Sequence, residues 1–359
     1  MYPRIVTDLA KLKHNVERVA ALCHGAMCAC AIVTKCVCAD ARIVSVIEES
    51  GADYFADSRL MNLASIKSRK PRYLLRIAQP WEAADVVAHS EVSQQSEIAT
   101  VRLLGEAAKE QNRRHKVVLM VDMGDLREGV FFEDRDGILA LARAVMEEDM
   151  LELYGVGVNL TCFGGIVPDE GNLGGLVEIA KWLRRETGLP IPLVSGGNSS
   201  TLPMLLNGTL PKGINHLRIG EGYLLGNETV EGTLMEGFYP DCFTLEAQLV
   251  EVKAKPSKPV GTSGLNAFGE RVSFEDCGEQ LRGICAVGRQ DVAPDGLVPR
   301  DADVSILGAS SDHLLLDLTR AAKGRYGVGS VLSFRPDYGA LLRAFTSAYV
   351  YREYINENN

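Results

Sequence analysis

The 359-residue sequence lacks an excess of basic charge: 38 Lys+Arg stand against 47 Asp+Glu, a formal net charge of -9. That removes the basic footprint on which a nucleic-acid partner depends. No apolar run approaches the roughly 18 residues of a membrane span. The opening MYPRIVTD has no signal-peptide core and reads as a strand entering a helix, with Thr7 as cap and Asp8 in the first turn. No Cys-x-x-Cys pair and no His-Glu-x-x-His motif occurs, and the six histidines are scattered, so no metal is expected. Low-complexity segments are absent too. What is present is a balance of 46% apolar and 24% charged residues, as in a soluble globular protein. Nine cysteines, an odd number, sit partly in apolar runs and read as reduced thiols of a cytoplasmic protein. Cys28, Cys30, Cys36 and Cys38 flank one strand at C-x-C spacing, which fits structural thiols better than a zinc site.

From residue 31 the chain alternates. Apolar strands are expected at 31–35, 54–58, 72–77, 91–93, 116–121, 151–159, 191–195 and 215–220, each followed by a helical pattern. Eight such units over roughly 200 residues are the pattern of a closed (β/α)8 barrel; an open doubly wound sheet would use fewer. After about residue 237 the character changes to alternating and Gly/Pro-rich β-like runs. The expected organisation is a barrel over 7–236 and a β-rich domain over 237–359, joined by the N-terminal strand 1–6.

A barrel carries its site at the C-terminal ends of the strands. The polar residues there are Lys35, Asp57, Ser58, Arg76, Asp122, Asn159, 195–199 and 218–222. Lys35 stands out as the sole lysine at any expected strand end. A cation closing an apolar run is costly unless paired, exposed or chemically used. A lysine amine desolvated in this way suits Schiff-base chemistry; the alternative is a lysine snorkelling at the rim. Ser195-Gly196-Gly197-Asn198-Ser199-Ser200 after the seventh strand, with Gly220-Glu221-Gly222 after the eighth, supplies small residues and free N–H groups where barrels bind phosphate. A glycine-rich turn with a serine cap would look the same.

At these positions the sequence resembles the alanine racemase family of pyridoxal phosphate (PLP) enzymes, and within it the ornithine/lysine-type racemases. The likeness covers nearly the whole chain. It implies that Lys35, at the end of Ala31-Ile32-Val33-Thr34-Lys35, carries the cofactor. Asp122-Met123-Gly124-Asp125-Leu126-Arg127 resembles an Asp-x-Gly…Arg segment whose arginine, Arg127, sets the cofactor oxygen or the substrate carboxylate. Asn159 falls where alanine racemases place a histidine behind the ring. Asn198 and Ser199 match a phosphate-binding pair. Leu217-Arg218-Ile219-Gly220 with Leu225-Gly226 resembles an Arg-x-Gly…Tyr-Gly motif: Arg218 would meet the pyridine nitrogen, and Gly220 and Glu221 would give N–H groups to phosphate. Tyr338 matches a C-terminal tyrosine that contacts phosphate.

Arg218 separates two chemistries. An arginine, with a pKa above about 12, cannot accept the pyridine proton. The ring then stays unprotonated and is a weaker electron sink, which suits racemisation; similar decarboxylases place a glutamate there. Gly308-Ala309-Ser310-Ser311-Asp312-His313 resembles a Gly-x-Thr-Cys-Asp stretch of basic amino-acid decarboxylases, whose aspartate holds the distal ammonium. Asp312 would hold a basic side chain through a charge-assisted hydrogen bond worth roughly 1.5–3 kcal/mol. The tyrosine that alanine racemases draw from the partner subunit has no titratable counterpart in 264–269. Met120 stands where some carry a carbamylated lysine, and Ala39 where a phosphate-binding tyrosine would follow. The second base is therefore sought among Ser311, Asp312 and His313, with His313 best placed by its ordinary pKa. The resemblance implies a homodimer with its site at the interface and an ornithine or lysine racemase. The alternatives are an alanine or broad-specificity racemase, a basic amino-acid decarboxylase and a non-catalytic PLP homeostasis protein, the last of which resembles the barrel alone.

Overall fold

The structure is a computed structural model that describes residues 1–356. The described chain divides into two compact units: residues 11–240, and residues 1–10 together with those from 241 to 356. No helix among the described residues is long and apolar enough to cross a membrane.

The first unit is a closed eight-stranded parallel barrel. Its strands are Ala29–Val33, Tyr54–Asp57, Arg72–Leu74, Val92–Gln95, His115–Asp122, Leu151–Gly157, Leu193–Ser195 and His216–Ile219. They pair in that order, and the last pairs with the first, Leu217 opposite Cys30. All eight expected strands are present. A two-residue strand, Val130–Phe131, is added beside the fifth, Val121 opposite Val130. The strands read as near-continuous apolar runs because both faces are covered. Ile32, Phe55, Leu74, Val117 and Leu217 point one way, and Ala31, Val33, Ala56, Tyr73, Val118 and Leu193 the other. All of these are buried, and the second set forms the barrel interior. Ala31 and Ala56 leave room inside for larger polar neighbours. Tyr54, Tyr73 and His216 pack ring to ring, His216 lying 5.3 Å from Tyr54 and 5.5 Å from Tyr73.

The intervening helices start where the sequence offers caps. Asp40 accepts from the N–H groups of Arg42 and Ile43 to open Ala41–Glu48. Asp169 and Asn172 form a reciprocal capping box on Glu170–Thr187, which ends on Gly188 in the left-handed region. Lys70 closes the other end of the first of these helices, its ammonium donating to the carbonyls of Ile47, Ser50 and Ala52.

The second unit is a mostly antiparallel sheet in the order Leu297–Pro299, Val331–Pro336, Phe243–Pro256, Glu279–Cys285, Leu314–Asp317, Ser305–Ala309. Phe243–Pro256 alternates buried and partly exposed positions through Leu249, as its sequence alternation requires. Arg4–Asp8 pairs antiparallel with this long strand and parallel with Tyr351–Ile355. Thr7 and Asp8 therefore belong to a strand, and the helix begins at Leu9. Two strand partners outweigh the local capping preference that the sequence suggested.

Candidate active site

Lys35 does not lie in the strand that its apolar run suggested. The strand ends at Val33, and Lys35 opens a one-turn 3-10 helix, Lys35–Val37. The turn closes through Val37 N–H to Thr34 O at 3.1 Å and Cys38 N–H to Lys35 O at 3.3 Å. Cys38 and Ala39 follow in the left-handed region, with φ 51° and 47°. Two successive non-glycine residues there are strained, by about 1 kcal/mol or more each. Lys35 is half-buried, and its ammonium has neither an ion pair nor a hydrogen bond among the described residues. The other cation at a nearby strand end, Arg76, is by contrast paired to Glu82 at 2.7 Å.

Arg218 lies on the strand beside Ala29–Val33, the strand that leads into Lys35, in register with Ala31. It is 3% exposed. Its guanidinium donates to Ser195 Oγ and, at 2.6 Å, to Val158 O, and it forms no ion pair among the described residues. Burial lowers its affinity for a proton. Ser195 Oγ lies 2.8 Å from His216 Nδ1. Because an arginine only donates, Ser195 accepts from it and gives its own proton to Nδ1, which places the histidine proton on Nε2. Burial, and then the charge of Arg218, push His216 down to about 3. This three-residue line holds the guanidinium without a counter-ion.

The loop after the seventh strand presents Asn198 and Ser199. Gly197, at φ 104°, makes a turn that a side chain would strain, and its carbonyl accepts from Arg218 N–H at 3.0 Å. Asn198 accepts from Ser200 N–H at 2.8 Å and donates to Leu160 O at 2.9 Å. Ser199–Thr201 form a 3-10 turn that leads into the short helix Leu202–Leu206. Ser199 Oγ accepts from the N–H groups of Gly220 at 3.2 Å and Gly222 at 3.1 Å, joining the loops after the seventh and eighth strands. Having accepted twice, the hydroxyl retains its own proton for an external acceptor. The Glu221 carboxylate accepts from Asn227 at 2.9 Å.

Asn159 is 8% exposed at the end of the sixth strand. With its amide oxygen turned to Arg127, it accepts from both terminal guanidinium nitrogens at 3.2 Å. Arg127 also forks onto Glu128. Asp122 shapes this segment by accepting from Gly124 N–H at 2.9 Å and Leu126 N–H at 3.1 Å. Asp125, fully buried, pins the next loop through the N–H groups of Thr161, Phe163 and Ile166.

The barrel thus gathers Lys35, Arg127, Asn159, Asn198, Ser199, Arg218, Gly220 and Glu221 at the C-terminal ends of its strands. The remaining candidates lie in the β unit. Asp312 and His313 sit at the exposed tip of the hairpin between Ser305–Ala309 and Leu314–Asp317, 3.2 Å apart. Tyr338 opens the helix Tyr338–Thr346, which Asp337 caps through Ala340 N–H at 2.7 Å. Of the thiols, Cys28 is pushed up to about 12 by burial and by Cys23, and Cys30 is raised as well. No group of His, Cys, Asp and Glu among the described residues could hold a metal.

Sequence reasoning missed three supporting residues. Glu128 and His216 carried no motif. Asp57 figured in the strand-end inventory without a role. It is fully buried and accepts from Thr34 Oγ1 at 2.7 Å, Arg59 N–H at 2.8 Å and Asn62 Nδ2 at 3.1 and 3.2 Å. The signal was its place at a strand end beside Thr34.

The chain is similar to known proteins over nearly its whole length. The family described as "Alanine racemase, N-terminal domain" matches residues 7–227. An ornithine racemase of Acetoanaerobium sticklandii is 44% identical over 356 residues, covering 99% of this chain and all of that one. A lysine racemase of Thermotoga maritima is 36% identical over 99% of both chains. Among solved structures, the alanine racemase of Streptomyces coelicolor superposes with a TM-score of 0.74 at 19% identity, covering 99% of this chain and 98% of that one. D-threo-3-hydroxyaspartate dehydratase from Delftia sp. HT23 superposes at 0.72 with 16% identity, over 99% and 95%. These two show a shared fold.

Proposed function

The chain belongs to the alanine racemase family, and from that premise we propose that it is a PLP-dependent racemase of a basic amino acid, ornithine or lysine. The observation that carries the reading is Lys35: an amine with no ionic partner among the described residues, at the barrel mouth, just beyond the strand that pairs with that of a buried guanidinium, which also has none.

The residues present fit the cofactor. Arg218 has its inner side held by Ser195 and Val158 and suits a neutral acceptor such as a pyridine nitrogen. Ser199 keeps a hydroxyl proton for a phosphate oxygen, beside Asn198 and the Glu221 backbone; the Gly220 N–H, expected on the phosphate, is given to Ser199 Oγ instead. Asn159 would lie behind the ring, and Tyr338 is assigned to the phosphate as well. Bound PLP supplies an electron sink that acidifies the Cα proton of an amino acid. Lys35 takes or returns that proton on one face. Arg127, braced on Glu128, takes the substrate carboxylate. Arg218, which cannot accept a proton, would leave the ring nitrogen of the cofactor unprotonated and so temper the electron sink that it would supply. Asp312 is assigned to the distal ammonium and His313 to the opposite face, supplied by a second copy in a homodimer.

Proton NMR of the PLP-loaded chain with L-ornithine, L-lysine and L-alanine in deuterium oxide, with chiral analysis, tests this. Loss of the Cα proton with formation of the D-isomer is expected, fastest with ornithine or lysine, and absent in Lys35→Ala. Carbon dioxide release without D-isomer would replace the racemase with a decarboxylase. Exchange persisting in Lys35→Ala would remove Lys35 from its role.

A further inference from the structure

The fully buried carboxylate of Asp57 has no cationic partner among the described residues. All its hydrogen-bond donors are neutral: the Thr34 hydroxyl, the Arg59 N–H and the Asn62 amide. Burying an aspartate in this way is costly, and burial does raise its pKa against the pull of those donors. A turn could be closed without a buried charge, so the carboxylate needs a reason. Thr34 immediately precedes Lys35. Its N–H is bonded to Ala56 O at 2.9 Å, and its hydroxyl, having one proton, gives it to Asp57 at 2.7 Å rather than to Ala56 O at 3.4 Å. Both Thr34 and Asp57 are 0% exposed. Beyond Lys35 the backbone runs through the strained pair Cys38 and Ala39 to Asp40, which caps the next helix. A strained turn persists only when both ends are held. Asp40 holds one end; Asp57, through Thr34, holds the other.

We propose that Asp57 is a positioning residue for Lys35, acting through the Thr34 hydroxyl, which fixes the backbone that carries the lysine and so holds its amine in place for carbonyl chemistry. This rests on the PLP reading above. The step that it serves balances simply: the Lys35 amine, its extra proton lost to solvent, adds to the aldehyde carbon of PLP and water leaves.

The test compares two ligands on the full chain stripped of cofactor. Pyridoxamine 5'-phosphate has no aldehyde and reports the phosphate and ring contacts alone; PLP reports covalent capture by its visible absorbance. In Thr34→Val, Asp57→Asn and Thr34→Ser, both are measured together with the melting temperature and the pH midpoint of capture. Thr34→Val and Asp57→Asn are expected to slow capture roughly ten- to a hundredfold and to move its pH midpoint, with pyridoxamine 5'-phosphate affinity within about twofold of the parent. Thr34→Ser, which keeps the hydroxyl, restores the rate. Capture by Thr34→Val at the parental rate overturns the proposal. So does a parallel fall in affinity for both ligands, which marks a general loss of structure. A parent chain that binds neither ligand refutes the PLP reading itself.

Discussion

Acidification to pH 5 should weaken the barrel through two histidines that it buries in neutral form. Burial, and then Arg218, push His216 down to about 3, and burial pushes His115 down to about 4. An unfolded histidine titrates near 6.5. Below that pH the unfolded chain binds protons that the folded barrel refuses, so stability falls from about pH 6.5 towards the folded values. From pH 7.5 to 5 the loss works out at about 2 kcal/mol for each histidine, about 4 kcal/mol together. That is a large part of the roughly 5–15 kcal/mol of an ordinary domain. Asp57 acts with the opposite sign, because its folded pKa is raised: its contribution grows as pH falls through that value. The depressed carboxylates Glu82, Glu91 and Glu228 titrate below their ordinary value, outside this window. Urea unfolding of the cofactor-free chain, followed by circular dichroism at intervals between pH 7.5 and 5, measures the slope. His216→Asn keeps an acceptor for Ser195 and cannot titrate. It should be less stable at pH 7.5, having lost ring packing on Tyr54 and Tyr73, yet should lose about 2 kcal/mol less than the parent on acidification. The same pH dependence in both proteins would refute the reasoning.

Three further outcomes follow from the geometry. Arg218→Glu should raise transamination relative to racemisation, measured as accumulation of pyridoxamine 5'-phosphate; unchanged partitioning would show that the ring-nitrogen contact does not set the chemistry. Asp312→Asn should raise the KM for ornithine and lysine by about ten- to a hundredfold, the equivalent of roughly 1.5–3 kcal/mol, and leave any alanine turnover nearly untouched; an equal effect on all three would remove Asp312 from substrate selection. Brief alkylation at pH 8, read by peptide mass mapping, should label the exposed Cys162 and Cys277 and spare Cys28 and Cys285, which burial holds up near about 12; early labelling of Cys28 would contradict its environment.

The sequence disclosed the barrel because most strands are apolar runs with polar residues at or just beyond their ends. That periodicity survives any error of one or two residues at the ends. It also disclosed Lys35 and Arg218, whose charges interrupt such runs. It misplaced the end of the Lys35 strand, because Thr34 and Lys35 continue the apolar pattern while hydrogen bonds from across the turn curl the backbone. The supporting shell was hidden for a related reason. Asp57, Ser195 and His216 act through partners one strand away, and register between strands is a property of the closed sheet rather than of any local stretch. Arg127 was visible by likeness, but its brace, Glu128, is the next residue and carried no pattern.

The strand Arg4–Asp8 joins the opening of the chain to residues that follow the whole barrel, with Ile5 fully buried between Phe243–Pro256 and Tyr351–Ile355. On the ribosome these partners do not yet exist when residues 4–8 emerge. The barrel residues, 11–240, are made next and form one uninterrupted stretch. The first strand must therefore wait, unpaired and partly apolar, through the synthesis and folding of an entire domain. Its docking is among the last events of folding, and the long loop that it closes makes that event slow. A chaperone that binds nascent residues 4–8 would act on the completion of the distant β unit.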